Sequence, residues 1–168
     1  FSTGLSSNYT TITYVAGTWK INAATLVITA ASPSAIDYGG TKASDTFTVT
    51  GLNAADSISG ITYTYSGSGA TIYGPTTSAP TAAGTYSITP SAVVFADAAS
   101  AAKYSTITYN AGLFTINKKA LTVTPTNQDI VYGATAAISF GVTGFANSET
   151  VSNAAGYTAP TCAVSTYS

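Results

Sequence analysis

The chain has 168 residues, six acids against five lysines and a formal net charge of −1, with no His, no Met and a single Cys. Without clustered Lys or Arg there is no field to neutralise nucleic-acid phosphates, without His there is no Ser-His catalysis, and no apolar run approaches the roughly 18 residues of a membrane helix. Ser and Thr supply roughly 30% of the residues, where an average chain is far richer in Lys and Glu. With Thr, Tyr, Val and Ile abundant, the composition predicts a mainly β protein with hydroxyl-rich solvent faces and at most short helical turns.

In chain order, residues 1–22 read as strands already under way. Within "NYTTITYVAGTWKI" (8–21), "TYVAGTW" reads as a tight hairpin with Gly17 free to take positive φ. A very short link, "INAATL", leads into "TLVITA" (25–30). "IDYGG" marks a turn at Gly39. "TFTVT" then puts Phe47 and Val49 on one face and threonines on the other. "GLNAADS" reads as a short helical turn. "ITYTY" and "ATIY" flank "SGSG", which predicts an extra hairpin near 61–73 that projects from the module. "GTYSIT" is a strand with Tyr86 and Ile88 on one face, and "ADAASAAK" suits one or two helical turns. "TYNAGLF" reads as a second tight hairpin at Gly112. After "INKKAL" come "ALTVT", with Leu121 and Val123 on one face, "IVYGA" with a turn at Gly133, and "SFGVT". "AVSTYS" (163–168) reads as a strand just begun.

The chain repeats itself. "NYTTITYVAGTWKI" aligns with "KYSTITYNAGLFTI" (103–116), "TLVITA" with "ALTVTP" (120–125), "IDYGG" with "IVYGA", and "TFTVTGLNAADSIS" (46–59) with "SFGVTGFANSETVS" (139–152). Residues 24–117 are therefore expected to be one complete repeat. Residues 120–168 form the first part of another, and residues 1–22 carry the final strands of a repeat begun in the preceding copy. Joining "STYS" to "FSTGLSSNY" keeps the apolar–polar alternation, which a wrong join would break half the time. The predicted inter-copy junction comprises Phe1, Tyr9, Ile12, Tyr14, Trp19, Ile21, Leu121, Val123, Val164, Tyr167 and Ser168. Copies follow one another either as a continuous chain or by strand donation.

The motifs "LVIT", "IDYGG", "FTVTGLNAADSISG", "AGTYSITPS" and "KYSTITYNAGLFTI", with the partial second set "ALTVT", "IVYGA" and "FGVTGF", resemble the MBG-type repeats, the Tyr-Gly-x class, of large bacterial surface proteins and adhesins. The resemblance implies small β-grasp-like modules in tandem on an exported, cell-surface protein. An Ig-like sandwich is the alternative arrangement. Family members often carry Asp after the Tyr-Gly pair. Gly40 and Ala134 stand there in this chain, which argues against a cation at that turn.

The six acids stand singly along the chain, so neither a carboxylate pair for acid–base work nor the six to eight oxygens of a calcium site is foreseen. No catalytic, cofactor or metal site is predicted. Cys162 is a small buried hydrophobe or an inter-chain thiol. The recurring tyrosines read as cross-strand packing. Tyr63, Tyr65 and Tyr73 lack counterparts in the shorter copy and are candidates for a lateral or ligand contact. Two functions follow: the repeating unit of an extracellular fibre or stalk that interacts with itself, or an adhesin module that recognises surface glycan or mucin.

Overall fold

The computed structural model describes residue 11 and residues 13–161. It is mainly β. Among the described residues nine strands follow in order: β1 (Ala24–Ala30), β2 (Ile36–Asp37), β3 (Phe47–Thr50), β4 (Ile58–Gly67), β5 (Gly84–Phe95), β6 (Tyr104–Asn110), β7 (Gly112–Asn117), β8 (Thr122–Pro125) and β9 (Phe140–Thr143). A 3-10 helix, Ala98–Lys103, precedes β6. Asp97 caps it by accepting the Ala99 N–H. No described helix is long and apolar enough to cross a membrane.

The strands form three sheets. In the first, the order is β3-β1-β6, with β1 antiparallel to β3 and parallel to β6. The second runs β2-β7-β5-β4 and the third is the pair β8-β9. Alternation decides which side chains go inward: Leu26, Ile28 and Ala30 on β1, Tyr86 and Ile88 on β5, Phe114 and Ile116 on β7. They divide between two adjoining cores. One gathers Ala30, Tyr65, Tyr86, Ile88, Phe114 and Ile116. The other gathers Leu26, Ile28, Phe95 and Tyr104. β1 and β5 are long enough to feed both. Pro90 lies on β5 just past Ile88, the last residue that β7 pairs, where a missing N–H is tolerated.

Two sequence expectations are corrected. The expected hairpin forms but does not project, and its first arm is "ITYTY". It is the middle of β4, paired with β5 from Tyr86 to Phe95. The arm after "SGSG" folds back on the outer edge of β4, where the Gly67 N–H donates to the Tyr73 carbonyl (2.8 Å) and Tyr65 bridges Thr76. Both β4 and β5 carry apolar faces, and pairing them buries more than an isolated hairpin could. "TYNAGLF" is not a hairpin. β6 and β7 belong to different sheets, and the chain passes between them at Ala111. Gly112 is required by close approach rather than by its φ, since a Cβ there would lie 2.3 Å from the Ala31 carbonyl oxygen. Residues 13–23, which contain "TYVAGTW", carry no strand and are exposed.

The register of β8 on β9 repeats that of β1 on β3. Val27 faces Thr50 and Ile28 faces Val49. At the aligned positions Thr122 faces Thr143 and Val123 faces Val142. The flanking bonds recur as well: Ala31 N–H to Thr46 and Thr126 N–H to Ser139, both 2.9 Å, and Asp56 N–H to Asn53 and Glu149 N–H to Ala146. Gly51 and Gly144 both hold positive φ, 89° and 103°, at the turn after the hairpin. Gly39 and Gly133 do so after Tyr, at 86° and 84°, as the "YG" turn predicts.

Candidate functional site

Around β1 the first sheet is completed by a polar clasp. Asp56 sits in the turn between β3 and β4. Its Oδ1 accepts from Ser100 Oγ (2.8 Å) and Lys103 Nζ (2.6 Å), and its Oδ2 accepts from the Tyr104 hydroxyl (2.8 Å). The Asn53 N–H donates back to the same hydroxyl (3.0 Å). These partners favour the charged carboxylate, the Lys103 ammonium most, then Tyr104 and Ser100, and hold its pKa down to about 2. The carboxylate in turn pushes the Lys103 ammonium up. The Tyr104 ring stacks on Phe95 with centroids 5.3 Å apart. The clasp fixes the start of β6, which then runs parallel to β1 with Leu26 beside Ile107 and Ile28 beside Tyr109. Leu26 and Ile28 are thereby fully covered.

The second copy has the same floor without the cover. Among the described residues β8 has β9 on one edge and no strand on the other. Leu121 and Val123, the counterparts of Leu26 and Ile28, are 40% and 41% exposed, against 0% for both in the first copy. They open on a cavity of about 720 Å³ that Phe145, Glu149 and Tyr157 also line. Glu149 stands where Asp56 stands in the first copy. One of its oxygens accepts from the Tyr38 hydroxyl (2.7 Å), and among the described residues the other accepts nothing. The Tyr157 hydroxyl is buried with no hydrogen-bond partner among the described residues, its ring edge-on to Phe145.

The remaining junction residues divide the same way. Tyr14 (72%), Trp19 (90%) and Ile21 (83%) are exposed, whereas their counterparts Phe114 and Ile116 are 1% and 3% exposed and Tyr109 is half-buried. Phe1, Tyr9, Ile12, Cys162, Val164, Tyr167 and Ser168 lie outside the described residues.

Tyr63, Tyr65 and Tyr73, the candidates for a lateral or ligand contact, pack against the core of β5 and β7. Tyr65 is 4% exposed and belongs to the core. Tyr63 packs half-buried against that core. Tyr73 lies edge-on to Tyr86, centroids 5.4 Å apart, and donates its hydroxyl to the Ser78 carbonyl. Tyr63 and Tyr65 lie on β4, which pairs with β5, and Tyr73 is held alongside by the Gly67 N–H bond to its carbonyl.

A second polar cluster is absent from the sequence reading. Lys42 Nζ lies 2.5 Å from Asp45 Oδ1, and the Tyr65 hydroxyl donates to Asp45 Oδ2. The ammonium stands over the rings of Tyr65 and Phe114, 5.3 and 5.7 Å from their centroids. Burial, with the Asp45 carboxylate second, pushes the Tyr65 hydroxyl well above the ordinary tyrosine range. The cluster ties the loop between β2 and β3 down onto the core. Among the described residues no three metal-ligating side chains come together.

No family model, curated protein or solved structure matches this chain.

Proposed function

We propose that the chain is a structural repeat unit of an extracellular bacterial fibre or surface stalk, built of β-grasp-like modules in tandem that propagate head to tail. The observation that carries this reading is the β8-β9 pair. It repeats the register of β1-β3 yet leaves uncovered the apolar face that β6 and Tyr104 cover in the first copy. A sheet edge with exposed Leu and Val is a template for another strand. Trp19 and Ile21, exposed here and matched to buried Phe114 and Ile116, are the complementary surface. The cover comes from another copy of the chain.

An adhesin role in binding glycan or mucin would use exposed aromatic rings with convergent polar groups around a concavity. Tyr63, Tyr65 and Tyr73 are held in packing instead, so nothing in that hairpin favours it.

Light scattering and negative-stain electron microscopy over a concentration series test the fibre reading. Linear particles that lengthen with concentration are expected. A chain that stays monomeric at every concentration overturns it.

A further inference from the structure

We propose that the open edge of β8 receives residues 9–14 of another copy as a parallel strand, in the register that β6 takes on β1, with the incoming Tyr9 hydroxyl closing on Glu149. This rests on the fibre reading and names the segment, its direction and its register.

The register follows from the repeat. Leu26 pairs with Ile107, Val27 with Thr108 and Ile28 with Tyr109. The aligned residues place Leu121 beside Ile12, Thr122 beside Thr13 and Val123 beside Tyr14. Ala24 beside Tyr104 becomes Lys119 beside Tyr9. Tyr104 donates to the acid of the β3–β4 turn and accepts from the Asn53 N–H. The corresponding groups in the second copy are Glu149 and the Ala146 N–H, and both line the cavity. Glu149 keeps one oxygen for Tyr38 and offers the other. The aromatic ring would join Leu121 and Phe145, as Tyr104 shares a core with Leu26 and Leu52. The chain's own Tyr14 is not seated there, being 72% exposed.

The test uses the full chain with Cys162→Ser, so that no native thiol competes. One preparation carries Thr13→Cys, and an isotopically labelled one carries Thr122→Cys. Facing residues of adjacent strands lie about 5 Å apart, within disulfide reach. A control pair, Thr13→Cys with Thr124→Cys, is offset by two residues, about 7 Å along the strand. After mild oxidation, peptide mapping is expected to find the 13–122 link between labelled and unlabelled chains, several-fold over 13–124. Tyr9→Phe is expected to weaken association about tenfold, as loss of a hydrogen bond to a charged group does. Scattering of the parent chain separates the two ideas. Assembly with no 13–122 link, with 13–124 favoured, or with Tyr9→Phe associating like the parent overturns the strand register or its latch and leaves the fibre reading intact. A parent that never assembles overturns both.

Discussion

The Tyr104 hydroxyl donates to Asp56 across 48 residues of chain, and through that bond the turn after β3 holds the beginning of β6. The same carboxylate also takes Ser100 and Lys103, so one side chain pins the 3-10 helix and the parallel strand together.

Stability should therefore fall in acid. The folded pKa of Asp56, about 2, lies below its ordinary 3.8. A depressed carboxylate contributes fully above the unfolded value and is lost as pH drops through the folded one. The thermal midpoint is expected to decline between about pH 4 and pH 2. Asp56→Asn should start lower at pH 7 and decline less across that window. Equal slopes for the two proteins would remove Asp56 as the cause. At the alkaline end the raised groups, Tyr65 and Lys103, act in the opposite sense. Their contribution is full below about pH 10 and is lost as pH rises further.

Tyr86 and Ile88 were legible as one apolar face from alternation alone, and so were Phe47 and Val49. The registers of β1-β3 and β8-β9 match at the positions that the sequence alignment pairs. The partner of "ITYTY" was not legible. Alternation says which face of β4 is apolar but not whether the facing strand is six or thirty residues away. The crossing at Ala111 was hidden because "NAG" looks the same whether the strands on either side pair with each other or with different sheets. Lys42 and Asp45 stand in a polar loop with no motif around them; only tertiary packing sets the Lys42 ammonium over Tyr65 and Phe114. The clasp did leave a trace. An acid recurs at the aligned positions 56 and 149.

Ile28→Ala and Val123→Ala change aligned positions with opposite surroundings. Ile28 is fully covered, so its truncation should cost about 2–5 kcal/mol in urea unfolding. Val123 is already 41% exposed in a single chain, and its truncation should cost under about 1 kcal/mol there. Comparable losses in the monomer would mean that the face of β8 is covered after all.

Gly112 and Gly17 are aligned as well. A methyl group on Gly112 meets the Ala31 carbonyl oxygen at 2.3 Å and the Ala30 oxygen at 2.8 Å, both backbone atoms that cannot swing away. Gly112→Ala should destabilise by about 1–3 kcal/mol or more. Gly17 has nothing within 4 Å, so Gly17→Ala should leave the monomer unchanged within about 0.5 kcal/mol. Chemical unfolding of both variants checks the contrast, and a neutral Gly112→Ala would contradict the close passage between β7 and the end of β1.

Trp19 gives the sharpest reading because it is the only Trp in the chain. Its counterpart Phe114 is 1% exposed, tilted against Tyr86 with centroids 6.5 Å apart, whereas Trp19 is 90% exposed. Phe114→Ala should lower stability by about 3–5 kcal/mol, since it leaves a cavity between β5 and β7. Trp19→Ala should leave the dispersed chain within about 0.5 kcal/mol of the parent, because a solvated ring has little packing to lose. If Trp19 fills in the assembled fibre the place Phe114 fills in the first copy, its emission should be that of an indole in water when the chain is dilute. It should then shift to the blue as particles lengthen, in step with scattering. Trp19→Ala should raise the concentration needed for assembly, and Trp19→Phe, which restores the residue type found at position 114, should bring it back toward the parent. Emission that stays in the water-exposed range while the particles grow would show that residues 19–21 are not part of the junction.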